Sequence, residues 1–312
     1  MERYRMYAGK ILAPIPSKGS APQHHWRFAM DTKTKGILSY ILIAFGLSWI
    51  IWEIPAQKGL SLTDPVFGYM ILLGSFGPAA ACIVVRKWVT REGFSDAGLR
   101  LQVKKWRVYL IAWFLPLVVA LSIVGVAVLL GVGDPDFSPH AVDARVPVIQ
   151  LPPLPSGVQF VFVVATFMIS AAIMAPLLWG EEFGWRSYLQ IRLFSDNPVK
   201  AAVATGLIWG VWHYPINLRG YNYPDHPILG LLLFPLSTVC LSILIGWVRT
   251  RSGSIWPACL AHSGVGIIGS SLVAYLFMRP DSISRFHLEV VTWIPLVVLC
   301  AWVVLTGRLN PE

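Results

Sequence analysis

The sequence predicts an all-α polytopic membrane protein of about eight transmembrane helices, on three observations. Of its 312 residues 55% are hydrophobic and only 13% charged, whereas soluble proteins carry about 25% charge. Mean hydropathy is +0.62. None of the 25 Lys and Arg or 16 Asp and Glu residues falls inside eight apolar stretches, so the charge is segregated rather than merely scarce.

In chain order the stretches run Gly36 to Trp52, Val66 to Val85, Val108 to Gly133, Gly157 to Gly180, Ala201 to Leu218, Ile228 to Val248, Ser254 to Met278 and Val290 to Thr306. Each is long enough to cross about 30 Å of hydrocarbon as a helix, which takes roughly 17–25 residues. A β-barrel would show short alternating segments, and these runs are continuous. Four parts follow: a basic tail over 1–35, expected to be disordered or to lie on the lipid surface; helices 1–3 over 36–133; a core of helices 4–7 over 157–278; and a last helix with a short tail over 290–312. Residues 1–35 lack an apolar run of signal-peptide type, so the first helix is expected to act as its own targeting signal.

Lys and Arg set the expected topology. With a cytoplasmic N-terminus, the inside segments hold 20 of the 25 basic residues; the outside loops keep Lys58, Arg145, Arg219, Arg279 and Arg285. That bias predicts both termini in the cytoplasm. It also accounts for the net charge of +9, so no nucleic-acid partner is called for. Cys82, Cys240, Cys259 and Cys300 all fall in apolar stretches without CxxC spacing and read as reduced packing residues. The loop from Asp134 to Ser156, with Pro147, Pro152, Pro153 and Pro155, predicts a stiff extended segment.

An ionisable residue inside a span costs about 2.5–3.5 kcal/mol at mid-helix, so each is a functional candidate. His213 lies in the fifth stretch and His262 in the seventh. Glu181, Glu182 and Arg186 lie just past the fourth, where aromatic and aliphatic residues run on to Phe194 and the first stop is Ser195-Asp196-Asn197-Pro198. The fourth helix is therefore expected to extend about fourteen residues, through the acidic pair. Arg186 follows Glu182 by four residues, so Glu182 is its better-placed partner and Glu181 is left to move protons. At 1.5 Å per residue, His213, His262 and Glu181 lie about 20, 13 and 15–20 Å from the inner end, close enough in depth to meet. Glu53, at the outer end of the first helix, reads as solvated. Gly206 and Gly210 form a GxxxG expected to bring His213 toward the fourth helix.

Glu181-Glu182-x-x-x-Arg186 with its Gly-Trp-Arg-x-Tyr-Leu continuation, Trp209 followed by three residues and His213, and His262 in a later helix together resemble the three motifs of the CPBP family of intramembrane proteases. That family takes in type II CaaX prenyl endopeptidases and bacterial Abi or bacteriocin-immunity proteins. The resemblance spans about residues 157 to 275, with Trp209 where Phe is usual and Gly266 where the third motif has Asn or Asp. It implies a CaaX-protease-like helical core, with Glu181 as base, His213 as its partner in activating water, His262 as oxyanion stabiliser, and Glu182 and Arg186 in support. Loss of one oxyanion donor typically costs about 10²–10³ in turnover, and Asn217, Ser263 and Ser270 are alternative donors among which the sequence does not choose.

The reading is an intramembrane endopeptidase acting on a membrane-associated peptide or protein, prenylated in part of the family, with the bilayer as its other partner and the site opening toward the cytoplasm. Gly266 motivates the alternative, a weakened or inactive family member serving as a membrane immunity or interaction protein. Glu181, His213 and His262 would be the ligands if zinc were used. The absence of a HExxH helix, with each ligand on a different helix, favours metal-free chemistry without a cofactor. A membrane aspartyl site is disfavoured because Gly131-Val132-Gly133-Asp134 has no second embedded Asp. A proton path lacks ionisable groups in the outer half.

Overall fold

The computed structural model describes residues 31–137, 155–279 and 281–310. The tail up to residue 30 and most of the Pro-rich loop lie outside the described residues, so the expectations placed on them are not addressed. The described residues are helical, with one isolated bridge between Gly133 and Ile283. We number the helices α1 Thr32–Gln57, α2 Pro65–Val89, α3 Trp106–Leu129, α4 Ser156–Arg192, α5 Pro198–Trp212, α6 Pro227–Ser252, α7 Trp256–Leu276 and α8 Arg285–Leu305. Thr32–Lys35 form the first turn of α1 and so belong to the helical part of the chain.

Seven of the eight are long and apolar enough to cross a membrane, and their outward faces are apolar: Leu42, Leu129, Phe286 and Leu305 are each more than 70% exposed. Such a surface is insoluble unless lipid covers it. The chain is a multi-pass membrane protein.

Helix α5, with 15 residues, is the short one, about 22 Å at 1.5 Å per residue. It is extended by a turn over Tyr214–Asn217, and contacts at its two ends show how far this segment reaches. Before it, Ser195 accepts a hydrogen bond from Lys33 at the start of α1. After it, Arg219 pairs with Glu53 near the end of α1 at 2.8 Å. The segment from 195 to 219 thus runs nearly the full length of α1, making an eighth traverse. Glu53, expected to be simply solvated, is an ion-pair partner that stays about one-third exposed.

The end of the bundle near Lys33 carries a network in which Arg86 bonds Asp96 and the Ser187 carbonyl, both at 2.7 Å, and Arg192 bonds Glu92 at 2.6 Å. Partial burial tends to raise the Asp96 carboxyl, but the hydrogen bond and charge of Arg86 outweigh it and hold the group below its ordinary value. Asp134 and Arg279 form a separate pair between the segments that follow α3 and α7.

Helices α5 and α6 pack antiparallel. A Cβ on Gly206 would come within 2.5 Å of the Val239 Cα, and one on Gly210 within 2.5 Å of the Pro235 Cα. Thr238 Oγ1 donates to the Gly206 carbonyl at 2.9 Å, across the gap that the missing side chains open. The GxxxG face therefore seats α5 on α6. It does not face α4 as expected: a small-residue pair marks a close backbone approach without naming the helix that approaches.

Helix α4 continues through the acidic pair to Arg192 as expected, but not as one regular helix. A 3₁₀ turn over Ala175–Leu178 contains Pro176, which cannot donate to the preceding turn. Trp179–Gly184 is α-helical, and Trp185–Leu189 is π-helical. A second π segment, Val265–Ser270, interrupts α7 just after His262. Such single-turn bulges occur often at functional sites. An apolar groove of about 480 Å³ between α3 and α4, lined by Trp113, Phe114, Leu117, Phe160, Val164 and Met168 among others, includes none of the candidate site residues.

Candidate active site

The expected residues come from three helices and differ in depth, with His213 about 22 Å from Pro198 along α5. Glu181 is about 16 Å along α4 from Arg192, Trp209 about 16 Å along α5 from Pro198, and His262 about 9 Å into α7. Side chains from α4 and α7 meet directly. Glu182 Oε1 accepts from Arg186 Nη1 at 3.0 Å and from His262 Nδ1 at 2.8 Å, and both Glu182 and Arg186 are fully buried. The expected Glu182–Arg186 pair is present, and His262 completes it as a third member.

Glu181 takes a different partner. Its Oε2 accepts from the indole N–H of Trp209 at 2.8 Å. The carbonyl of the same Trp209 lies 2.9 Å from His213 Nδ1. A carbonyl only accepts, so the His213 proton sits on Nδ1 and the neutral ring keeps a lone pair on Nε2. Glu181 and His213 are each less than 10% exposed. Trp209 also lies under the Arg186 guanidinium, 4.5 Å from the ring centroid, and edge-on to His262 at 5.0 Å. One residue thus meets Glu181, Arg186, His213 and His262.

Sequence reasoning treated Trp209 as a marker standing where Phe is usual and missed this bridging role. The available signal was its position four residues before His213, on the same helix face, with an N–H that Phe lacks.

His213 is enclosed by rings, with Trp212 at 4.7 Å and Phe234 at 4.9 Å between centroids. Trp49 Nε1 donates to the Trp212 carbonyl at 2.8 Å and ties α1 to the end of α5. In the segment after Asn217, burial raises the Tyr221 hydroxyl above its ordinary value and the charge of Glu181 adds to the effect, so this loop lies within electrostatic range of the site.

Among the described residues no three His, Cys, Asp or Glu side chains group closely enough to hold an ion. Glu181 Oε2 and His213 Nδ1 are held by Trp209 and His262 Nδ1 by Glu182, which leaves Glu181 Oε1 and the two Nε2 atoms for other partners.

Residues 157–268 match the family profile described as type II CAAX prenyl endopeptidase Rce1-like, and the matched span contains Glu181, Glu182, Arg186, Trp209, His213 and His262. Over this segment the chain is similar to that family. A curated protein from Methanococcus maripaludis named CAAX prenyl protease 2 is 33% identical to the chain over 88 residues, covering 26% of this chain and 32% of that protein. The match therefore spans about a third of the relative's length. The matched segment covers α4 to the middle of α7, so the bridging indole, His213, His262 and the acidic pair all lie in it, while α1 to α3 and α8 lie outside.

Proposed function

We propose that the chain is an intramembrane endopeptidase that hydrolyses a peptide bond of a membrane-associated substrate, with water activated by Glu181 and His213. The observation that carries the reading is the Trp209 bridge, whose N–H orients Glu181 and whose carbonyl fixes the His213 tautomer. Glu181 Oε1 is then the acceptor for a water proton, and His213 Nε2 a second acceptor beside it. Both oxygens of a carboxylate accept, so holding one leaves the other aimed. General-base assistance of this kind contributes about 10²–10⁴ in rate.

Arg186 neutralises Glu182, and Glu182 holds His262 by its Nδ1 proton, leaving Nε2 as the ring's other polar atom. Stabilising an oxyanion from Nε2 requires the doubly protonated ring, with Glu182 beside it as counter-ion. Similarity to a protein named as a prenyl protease supports a prenylated C-terminal peptide as the substrate class. The Lys and Arg bias supports cytoplasmic termini, with the site opening to that side.

Cleavage of a reporter peptide in proteoliposomes tests the assignment. Glu181→Gln and His213→Ala are each expected to abolish measurable turnover, and full activity in either variant refutes it. A strong chelator in the same assay is expected to leave the rate unchanged; loss of activity restored by added zinc would overturn the metal-free chemistry.

A further inference from the structure

Hydrolysis of a peptide bond needs a donor for the charge that develops on the carbonyl oxygen. Water oxygen bonds to the carbonyl carbon as Glu181 takes a water proton. The carbonyl π pair moves onto oxygen, and the tetrahedral oxyanion then collapses, expelling the amine, which takes that proton. His262 is one donor in the proposed mechanism, and a preorganised second one is worth a large factor.

Two serines near the site are committed. Ser263 Oγ donates to the Ala171 carbonyl at 2.8 Å, and Ser270 Oγ to the Val265 carbonyl at 3.4 Å. Two other buried donors also lack a partner: the Trp212 indole N–H, on a ring packed against Trp52 and Trp185 with centroids at 4.6 and 5.6 Å, and Arg186 Nη2, on a guanidinium held over the Trp209 ring by its pair with Glu182. Gly266, one turn after His262, has open space where a Cβ would sit and contributes no donor.

Asn217 differs. It is fully buried, and its Nδ2 has no hydrogen-bond partner. Its Oδ1 accepts from Asn222 Nδ2 at 2.7 Å, which fixes the amide plane and points the N–H₂ end away from Asn222. Its backbone N–H reaches the His213 carbonyl at 2.9 Å, an α-helical bond that sets Asn217 one turn after His213, at the end of the short helix Tyr214–Asn217. The adjoining Tyr221 feels the charge of Glu181. A buried amide donor left unpaired is costly in a resting protein, a cost that is recovered when a substrate oxygen accepts from it.

We infer that Asn217 is the second oxyanion donor of the site, its Nδ2–H bonding the carbonyl oxygen of the scissile peptide as that oxygen becomes charged; the inference rests on the peptidase reading above.

The test is kinetics of reporter cleavage in proteoliposomes for the wild type, Asn217→Ala and Asn217→Asp, with inhibition by a phosphinic peptide that mimics the tetrahedral state. Asp keeps the shape and the acceptor for Asn222 but has no amide N–H. Both variants are expected to lose about 10²–10³ in kcat, with KM within about threefold of wild type and affinity for the phosphinic peptide falling in parallel with kcat. An unchanged KM also reports an intact fold. Values of kcat and inhibitor affinity within about threefold of wild type overturn the inference, and so do KM and inhibitor affinity weakening together, which marks a structural role. A wild-type protein that fails to cleave sinks the peptidase reading and this inference with it, whereas an active wild type with active variants sinks only the latter.

Discussion

Removing both members of the Glu182–Arg186 pair is expected to cost less than the two single removals added together. The two charges are 3.0 Å apart and fully buried. At an effective dielectric constant of about 20 their attraction is about 5 kcal/mol, and breaking a buried pair from one side typically costs about 3–5 kcal/mol because the survivor keeps an uncompensated charge. Arg186→Met leaves the Glu182 carboxylate with His262 as its remaining partner, which places the expected loss near the lower figure, about 3 kcal/mol. Glu182→Gln leaves the guanidinium over the Trp209 ring, without its carboxylate. In the double variant no net charge remains to be compensated, so the loss should be smaller than the sum of the single losses by about 2 kcal/mol or more. The assay is equilibrium unfolding in mixed micelles by detergent titration, arranged as a double-mutant cycle. A coupling energy below about 0.5 kcal/mol, the level at which distant sites add, would refute the account of the pair as a mutually dependent buried unit.

Three further outcomes are expected. Trp209→Phe keeps the ring under Arg186 but deletes the N–H that orients Glu181. A hydrogen bond to a charged group is worth about 1.5–3 kcal/mol, so kcat for reporter cleavage should fall at least about tenfold, and an unchanged kcat would remove the bridge from the mechanism. Gly210→Ala drives a methyl to within 2.5 Å of the Pro235 backbone, whereas Gly68→Ala meets nothing within 4 Å; thermal unfolding in detergent should show the first destabilised by about 1–3 kcal/mol and the second nearly neutral, and equal effects would contradict the close α5–α6 contact. Because the Asp96 carboxyl is held below its ordinary value of 3.8, its pairing stabilises the protein fully above that value and loses its contribution as pH falls through the lowered one. Unfolding midpoints across that acid range should therefore fall less steeply in Asp96→Asn than in wild type, and parallel curves would show that the Arg86 contact has no energetic role.

Most of the architecture was legible in the chain because hydrocarbon is an unforgiving solvent. A spanning backbone must satisfy its own hydrogen bonds and exclude charge, so apolar length alone counted the helices and drew α4 through its acidic pair. The short α5 shows where that logic weakens: composition counted Ala201 to Leu218 as one span, whereas the helix stops at Trp212 and a separate turn carries His213 toward Asn217. Helical spacing also identified Arg186 as the partner of Glu182, since both lie on one face of one helix.

What lies between helices was not legible. Which helix the Gly206 and Gly210 face would meet, that His262 would bind Glu182 rather than stand alone, and that one indole would join Glu181 to His213 all depend on the approach of segments far apart in sequence. The choice among Asn217, Ser263 and Ser270 was of the same kind: composition makes each a donor, and only the carbonyls that the fold brings near the two serines leave Asn217 unspent. The sequence by itself determined a helical membrane protein with a few buried ionisable groups, because lipid tests each segment separately. Tertiary structure alone decided their pairing, because hydrogen bonds of 2.8 to 3.0 Å are set by how helices seat against one another, down to the absence of a single Cβ.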